Sequence, residues 1–288
     1  MNNIATQQSV EVISKQPNIG RVLLVTGKIK AKDADRILRM QKEQGLRFGD
    51  AAVRLGLVTE DDIQQVLSLQ FDYPCLPADS TLVDQEVVAA FRRHDPEVEA
   101  LRALRSQIFL RWYAGHKLMT ITAPTAGQGA SRIAANLAVV FSQLGARTLL
   151  IDANLRNPRQ HKLFRLQSSP GLSDILAGRV SADTIQDIRM LTNLSILPAG
   201  TEPPNPLELL GRPALGKLIN DVSEQFDVII IDTPPALEYA DAQTLSACAG
   251  GTLIAARRHH ASIADIEGVK QQLVIAGAEA VGAVLTDF

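Results

Sequence analysis

The sequence predicts an α/β protein, a doubly wound and mostly parallel sheet preceded by a small all-α domain. Three observations carry this. The apolar runs Leu149–Ile151 and Val228–Ile231 do not alternate, and each is followed by an aspartate, as in parallel strands covered on both faces. Strand-like and helix-like segments take turns along the second half of the chain. Near the front, residues 18–41 and 47–70 repeat one 24-residue pattern at an offset of 29.

Composition sets the outer bounds. The 288 residues suffice for one large domain or two modest ones. Hydrophobic residues make up 46% and charged residues 21%, the proportions of an ordinary globular protein. A net charge of −2 gives no general attraction to nucleic acid or anionic lipid, so no nucleic-acid partner is expected. Cys75 and Cys248 lie far apart and suit neither a disulfide nor a metal pattern, as in a reduced compartment. The five histidines show no metal spacing either. The first residues lack the basic start and apolar run of a secretory signal. No run is long and apolar enough to span a bilayer. The expectation is a cytoplasmic protein that reaches the inner membrane only through a partner.

In the front repeat, Gly20 matches Gly49, Gly27 matches Gly56, Asp33 matches Asp62, Leu38 matches Leu67 and Gln41 matches Gln70. Ile19, Leu24 and Ile29 match Phe48, Val53 and Val58. Each copy reads as a short helix, a glycine turn and a longer helix starting near Ala31 or Thr59. Thr59 followed by Asp62 is a capping signal. Such a unit cannot bury its apolar face alone, so the copies should pack together. The layout, residues 18–75, resembles the cyclic di-GMP-binding N-terminal domain of MshE-type secretion and pilus ATPases. That pattern opens on Arg-apolar-Gly and closes on Gln, twice, with five residues between. The resemblance implies ligand contacts from Asn18, Gly20 and Gln41 in the first copy and Arg47, Gly49 and Gln70 in the second. Asn18 stands where the pattern has arginine, and lacks the planar charged fork that suits a guanine edge or a phosphate. The alternative is a structural docking module.

Pro74, Pro77 and Pro96 with small polar residues between them mark a domain boundary, read as a linker over 76–95. A helix follows from Pro96, with an apolar stripe of Leu101, Leu104, Ile108 and Trp112. Glu99, Arg102 and Arg105 share an adjacent face, an ordinary i, i+3 ion-pair pattern on its own. Further strands are expected at 194–198, 251–257 and 281–286, and helices at 131–144, 207–225 and 262–277.

The chemistry is concentrated in residues 121–138. An apolar strand runs into a turn with Gly127 and Gly129 and then an amphipathic helix, the build of a phosphate-binding loop. Backbone N–H groups of such a turn point at phosphate oxygens, and glycine permits close approach. The position of the phosphate lysine holds Ala130. Ser131 has the hydroxyl place that ligates Mg²⁺. Asp232 can hold the metal, and Asp152 can orient or deprotonate an attacking hydroxyl. In an open α/β sheet all of these fall at the carboxyl edge, where ligands bind.

From about Pro96 to Phe288 the chain resembles the bacterial tyrosine kinases (BY-kinases) of polysaccharide export, of the EpsG chain-length-determinant type. Their Gly-Glu-Gly-Lys-Ser-Thr loop appears as Gly127-Gln128-Gly129-Ala130-Ser131-Arg132. Their Asp-x-Asp-x-Arg motif appears as Asp152-Ala153-Asn154-Leu155-Arg156, and Asp-x-x-Pro as Asp232-Thr233-Pro234-Pro235. Residues 203–210, Asp241 and Ala242 also match, and Glu99, Arg102 and Arg105 fit the family's oligomerisation helix. The resemblance implies a P-loop NTPase fold of the MinD/ParA kind. It implies ATP with Mg²⁺, held by Gly127 through Arg132 with Ser131, Asp152 and Asp232 at the metal, and catalysis by Asp152, Asn154 and Asp232. It also implies a homo-oligomer and a membrane-embedded polysaccharide co-polymerase as partner. Three departures point to weakened catalysis. Ala130 removes a cation, Asn154 replaces a carboxylate, and Tyr73, Tyr113 and Tyr239 form no tyrosine-rich tail. Arg132, directed along its helix, is a poor replacement for the lysine. The readings that follow are a kinase-like chain-length regulator, a catalytically impaired assembly scaffold, and a partition- or division-type ATPase. The last is disfavoured by Thr125, which stands where those proteins carry a second lysine.

Overall fold

The computed structural model describes residues 19–25, 27–63, 66, 75–92, 95–166 and 170–287. The chain divides into two compact units, one ending at Pro77 and one beginning at Ala78.

The first unit contains α1 (Ile19–Val25), α2 (Ala31–Gln44) and α3 (Phe48–Arg54), and a further helical stretch starts at Glu60. The repeat is visible in its geometry. Gly27 and Gly56 both take the left-handed backbone, at φ +71° and +64°, that turns the short helix into the long one. Asp33 accepts the Lys30 N–H at 2.9 Å, and Asp62 accepts the Thr59 N–H at 2.9 Å. Hydrogen bonds from Lys28 and the Thr59 N–H, against a smaller effect of burial, hold the Asp62 carboxyl below its ordinary pKa. Leu23, Ile29 and Ile37 from one copy share a core with Ala52, Val58 and Val66 from the other, so the copies pack together as expected. Lys28 reaches from the first copy to Asp62 in the second at 2.7 Å.

The second unit is a layered α/β structure. Its strands are β1 (Leu118–Thr122), β2 (Thr148–Asp152), β3 (Gln186–Asp187), β4 (Leu194–Leu197), β5 (Val228–Asp232), β6 (Gly251–Arg257) and β7 (Glu279–Thr286). They form a sheet in the order β3-β4-β2-β5-β1-β6-β7, parallel throughout except for the β3–β4 pair. Its helices are α4 (Pro96–Ile108), α5 (Ala130–Ser142), α6 (Gln160–Leu163), α7 (Leu172–Leu176), α8 (Pro206–Leu210), α9 (Pro213–Gln225), α10 (Asp241–Ala249) and α11 (Ile263–Ile275). Every residue of β2 and β5 is buried, which is why these segments read as unbroken apolar runs. Parallel pairing sets Asp152 directly opposite Asp232.

Two expectations need correction. The helix over 207–225 is two helices, because Pro213 lacks the N–H that would continue the first and instead starts the second. The linker over 76–95 belongs to the second unit from Ala78 onward. Val83, Val87, Val88, Ala89 and Ala90 are buried. Asn136 of α5 accepts the Ala89 N–H at 2.9 Å and donates to the Glu86 carbonyl at 3.0 Å. The prolines flank this segment, whereas its centre is apolar enough to pack.

In α4, Asp95 caps the N-terminus by accepting the Glu97 N–H at 2.9 Å, and Pro96 supplies the preset φ of the first turn. The expected stripe faces inward, with Leu101, Ile108 and Trp112 buried and Leu104 half-buried. Trp112 donates to the Leu118 carbonyl at 2.7 Å and its ring covers Gly251, where a Cβ would stand 2.3 Å from the indole. Gly251→Ala must therefore displace the indole or bend β6, at about 1–3 kcal/mol. A thermal melt should show this as a loss of about 5 °C, and an unchanged melting temperature would contradict the packing.

Candidate functional site

The site grows from the ends of β1, β2 and β5. After β1 the chain turns through Gly127 at φ +79° and Gly129 at φ +88°, and Gly129 is the N-cap of α5. These left-handed glycines turn the loop's backbone before α5 starts at Ala130. The N-terminal N–H groups of the helix have no partner within it and carry the positive end of its dipole, so this corner attracts anions. Gln128 is 2% exposed and donates to Thr125 Oγ1 at 2.6 Å. Its side chain thus braces the loop from within.

Gly127, Gln128, Gly129, Ala130, Ser131 and Arg132 line one cleft together with Asn154, Arg156, Asn157, Arg159, Thr233, Glu238, Tyr239 and Glu86. Asp152 and Asp232 lie below its surface, each fully buried. Asp152 Oδ2 accepts the N–H groups of Arg159 and Gln160 at 3.0 and 2.9 Å, and Oδ1 that of Asn154 at 3.3 Å. Expected to meet an attacking hydroxyl, Asp152 here ties the loop after β2 to the sheet. Asn154 accepts the Asn157 N–H at 3.0 Å and so shapes the same loop.

Gln160 joins the parts. It is fully buried, and its Nε2 donates to Asp232 Oδ2 at 2.7 Å and to the Ser131 carbonyl at 3.1 Å. Asp232 Oδ1 and Gln160 Oε1 are buried acceptors that lack a donor in hydrogen-bonding geometry. The Ser131 hydroxyl is near enough to lower the Asp232 pKa, and a hydroxyl beside a carboxylate with one oxygen short of a donor is what a divalent cation or its water would use, so the residues present fit Mg²⁺. Burial pushes the Asp232 carboxyl up to about 6, against the lowering effects of Gln160, the Ser131 hydroxyl and the charge of Arg159. Burial, and then the charge of Asp232, raise Asp152 well above its ordinary value.

The cations of the cleft are arginines, each paired. Arg132 reaches Glu97 at 2.7 Å and the Glu86 carbonyl at 3.3 Å, so its charge is committed toward α4. Arg156 grips the buried Asp241 at 2.9 and 3.3 Å and lies over the Tyr239 ring, 4.3 Å from its centre. Arg159 pairs with Glu86 at 2.8 Å. The Ala126 N–H, just ahead of the glycines, donates to Glu238 at 2.8 Å.

The remaining expected sites lie elsewhere. On α4, Arg102 pairs with the exposed Glu99, and Arg105 donates to the Val140 carbonyl of α5 at 2.8 Å. In the first unit Arg47 is exposed, Gln41 is half-buried, and Gly20 and Gly49 are buried. A Cβ on Gly49 would stand 3.2 Å from Ile63, so that glycine serves packing. Asn18 and Gln70 lie outside the described residues.

The buried pair has a consequence for pH. A carboxyl whose pKa is raised by folding stabilises the fold while protonated and loses that contribution as pH rises through the raised value, here about 6. Without divalent cation, the melting temperature should fall between pH 5 and pH 7.5. Asp232→Asn should raise it by about 5 °C at pH 7.5 and leave it nearly unchanged at pH 4.5. A variant less stable than the parent at pH 7.5 would mean that the carboxylate is not under strain.

The AAA domain family matches residues 116–275. The chain is 34% identical over 241 residues to the putative tyrosine-protein kinase EpsB of Ralstonia solanacearum, covering 80% of this chain and 32% of that protein. It thus spans about a third of EpsB's length. It is 33% identical over 204 residues to the tyrosine-protein kinase YwqD of Bacillus subtilis, covering 70% of this chain and 86% of that one. The kinase domain of the Escherichia coli tyrosine kinase ETK matches with a TM-score of 0.67 at 32% identity, covering 70% of this chain and 79% of that one. With relatives of this kind matched over 70% or more of its length and a kinase domain that shares its fold, the chain belongs to the bacterial tyrosine-protein kinase family of polysaccharide biosynthesis.

Proposed function

We propose that the second unit binds ATP with Mg²⁺ in this cleft and works as a kinase-like regulator of exopolysaccharide chain length, with much-reduced phosphoryl transfer. The observation that carries this is a complete anion corner and a buried acidic floor with no cation at position 130. Ser131 and Asp232 would hold the metal, and Asp152 would keep the β2 loop beside it. Bound Mg²⁺ would neutralise charge on the phosphate chain. The residues around it would orient the chain through backbone N–H groups and shield it from water. Loss of one preorganised charge stabiliser costs about 10²–10³ in rate.

The membrane side of the reading is a co-polymerase partner. Among the described residues no helix is long and apolar enough to cross a membrane, and we take attachment to run through that partner at the inner membrane's cytoplasmic face. Self-assembly is assigned to α4, where Glu99 stays exposed while Arg102 and Arg105 are held on the unit itself. Phosphorylation of a tyrosine peptide should run near background in the parent and rise about 10²-fold in Ala130→Lys. A parent as active as the lysine variant would refute the catalytic defect.

For the first unit we propose cyclic di-GMP as ligand. Arg47 supports it: the residue is exposed, in extended backbone ahead of α3, and its side chain does not cap that helix. Calorimetry should show binding that Arg47→Ala abolishes. Binding indifferent to that change, or its absence in the parent, would leave the repeat as a docking module.

A further inference from the structure

We propose that Arg159 is the substitute for the missing loop lysine, a cation that leaves Glu86 to meet the phosphate chain when nucleotide enters. The inference rests on the nucleotide reading above and deepens it.

Three arginines line the cleft, and what each would forfeit separates them. Arg156 holds a carboxylate that is 1% exposed, so moving it would strand the buried charge of Asp241. Arg132 is 13% exposed and is held by Glu97 and by the Glu86 carbonyl. Arg159 and Glu86 are 39% and 45% exposed, and a pair open to solvent to that degree has little net strength to overcome. A triphosphate carries more charge than one carboxylate and takes a guanidinium fork in the same geometry, so the exchange favours phosphate.

The position of Arg159 is also built. Its own N–H donates to Asp152 at 3.0 Å, which fixes its backbone to the end of β2. Its side chain therefore swings from an anchored root at the cleft wall. Its charge already acts on Asp232, where it favours the ionised carboxylate. Glu86 is fixed too, since its carbonyl accepts from Asn136 and Arg132. Its side chain is the resting partner, and it stays behind when the arginine leaves.

The test is calorimetric titration of MgATP into the full chain. Arg159→Ala should weaken binding roughly tenfold or more. Arg159→Lys should fall between that variant and the parent. Glu86→Gln, which frees the arginine, should tighten binding roughly two- to fivefold. In the Ala130→Lys background, where a lysine is restored, Arg159→Ala should cost less. Binding by Arg159→Ala within twofold of the parent overturns the inference and leaves the nucleotide site standing. A parent that does not bind MgATP overturns it as well, and Ala130→Lys then decides the other question. Binding by that variant keeps the cleft as a nucleotide site, and failure of both removes it.

Discussion

Two aspartates side by side in one sheet, both out of reach of water, are the constraint on which this structure depends. Parallel register puts Asp152 opposite Asp232, and both strands are buried along their length. Carboxylates so placed repel each other and forgo hydration. The fold answers unequally. Asp152 receives three backbone N–H groups, and Asp232 receives one amide from Gln160. What is left falls on one oxygen of Asp232, which has at most the Ser131 hydroxyl near it. A sheet that keeps such a group unpaired holds stability in reserve for whatever neutralises it.

Around that point the cleft is nearly balanced in charge. Each arginine on its wall faces a carboxylate: Arg132 with Glu97, Arg156 with Asp241, Arg159 with Glu86. Even the loop offers an N–H that Glu238 takes. A lysine at position 130 would add a charge with no such partner, ready for phosphate. Without it, nucleotide must compete for cations already engaged, and the cheapest engagement yields first. Affinity in such a site depends on the wall as much as on the loop. The wall includes Glu86, whose segment α5 and the Leu163 carbonyl hold in place, the latter accepting the Asp84 N–H at 2.7 Å.

What could be read from sequence follows the reach of each interaction. The parallel strands, the glycine turn and the aspartates at strand ends are local patterns imposed by burial and backbone geometry, and the structure has them where they were expected. Gln160 was missed, because nothing near it in sequence marks a residue whose partners stand 29 and 72 positions away. Glu86 was missed for another reason. Prolines on either side made its segment look like a linker, although Val83, Val87, Val88 and Ala89 were signal enough for a packed one. The division of 207–225 into two helices was readable at Pro213, where the apolar rhythm masked the missing donor.

The front repeat shows how to separate fold from function when both leave the same trace. Its matched glycines Gly27 and Gly56 are accounted for by backbone conformation, Asp33 and Asp62 by helix capping, and Ile29 and Val58 by the shared core. Gly49 is accounted for by Ile63. A repeat built for stability alone needs nothing more than these. Arg47 is different: it is charged, exposed and placed at a helix entrance without supporting that helix through its side chain. Folding sets no visible demand for an arginine there, so Arg47 is the residue at which the proposed ligand and a purely structural repeat make different predictions.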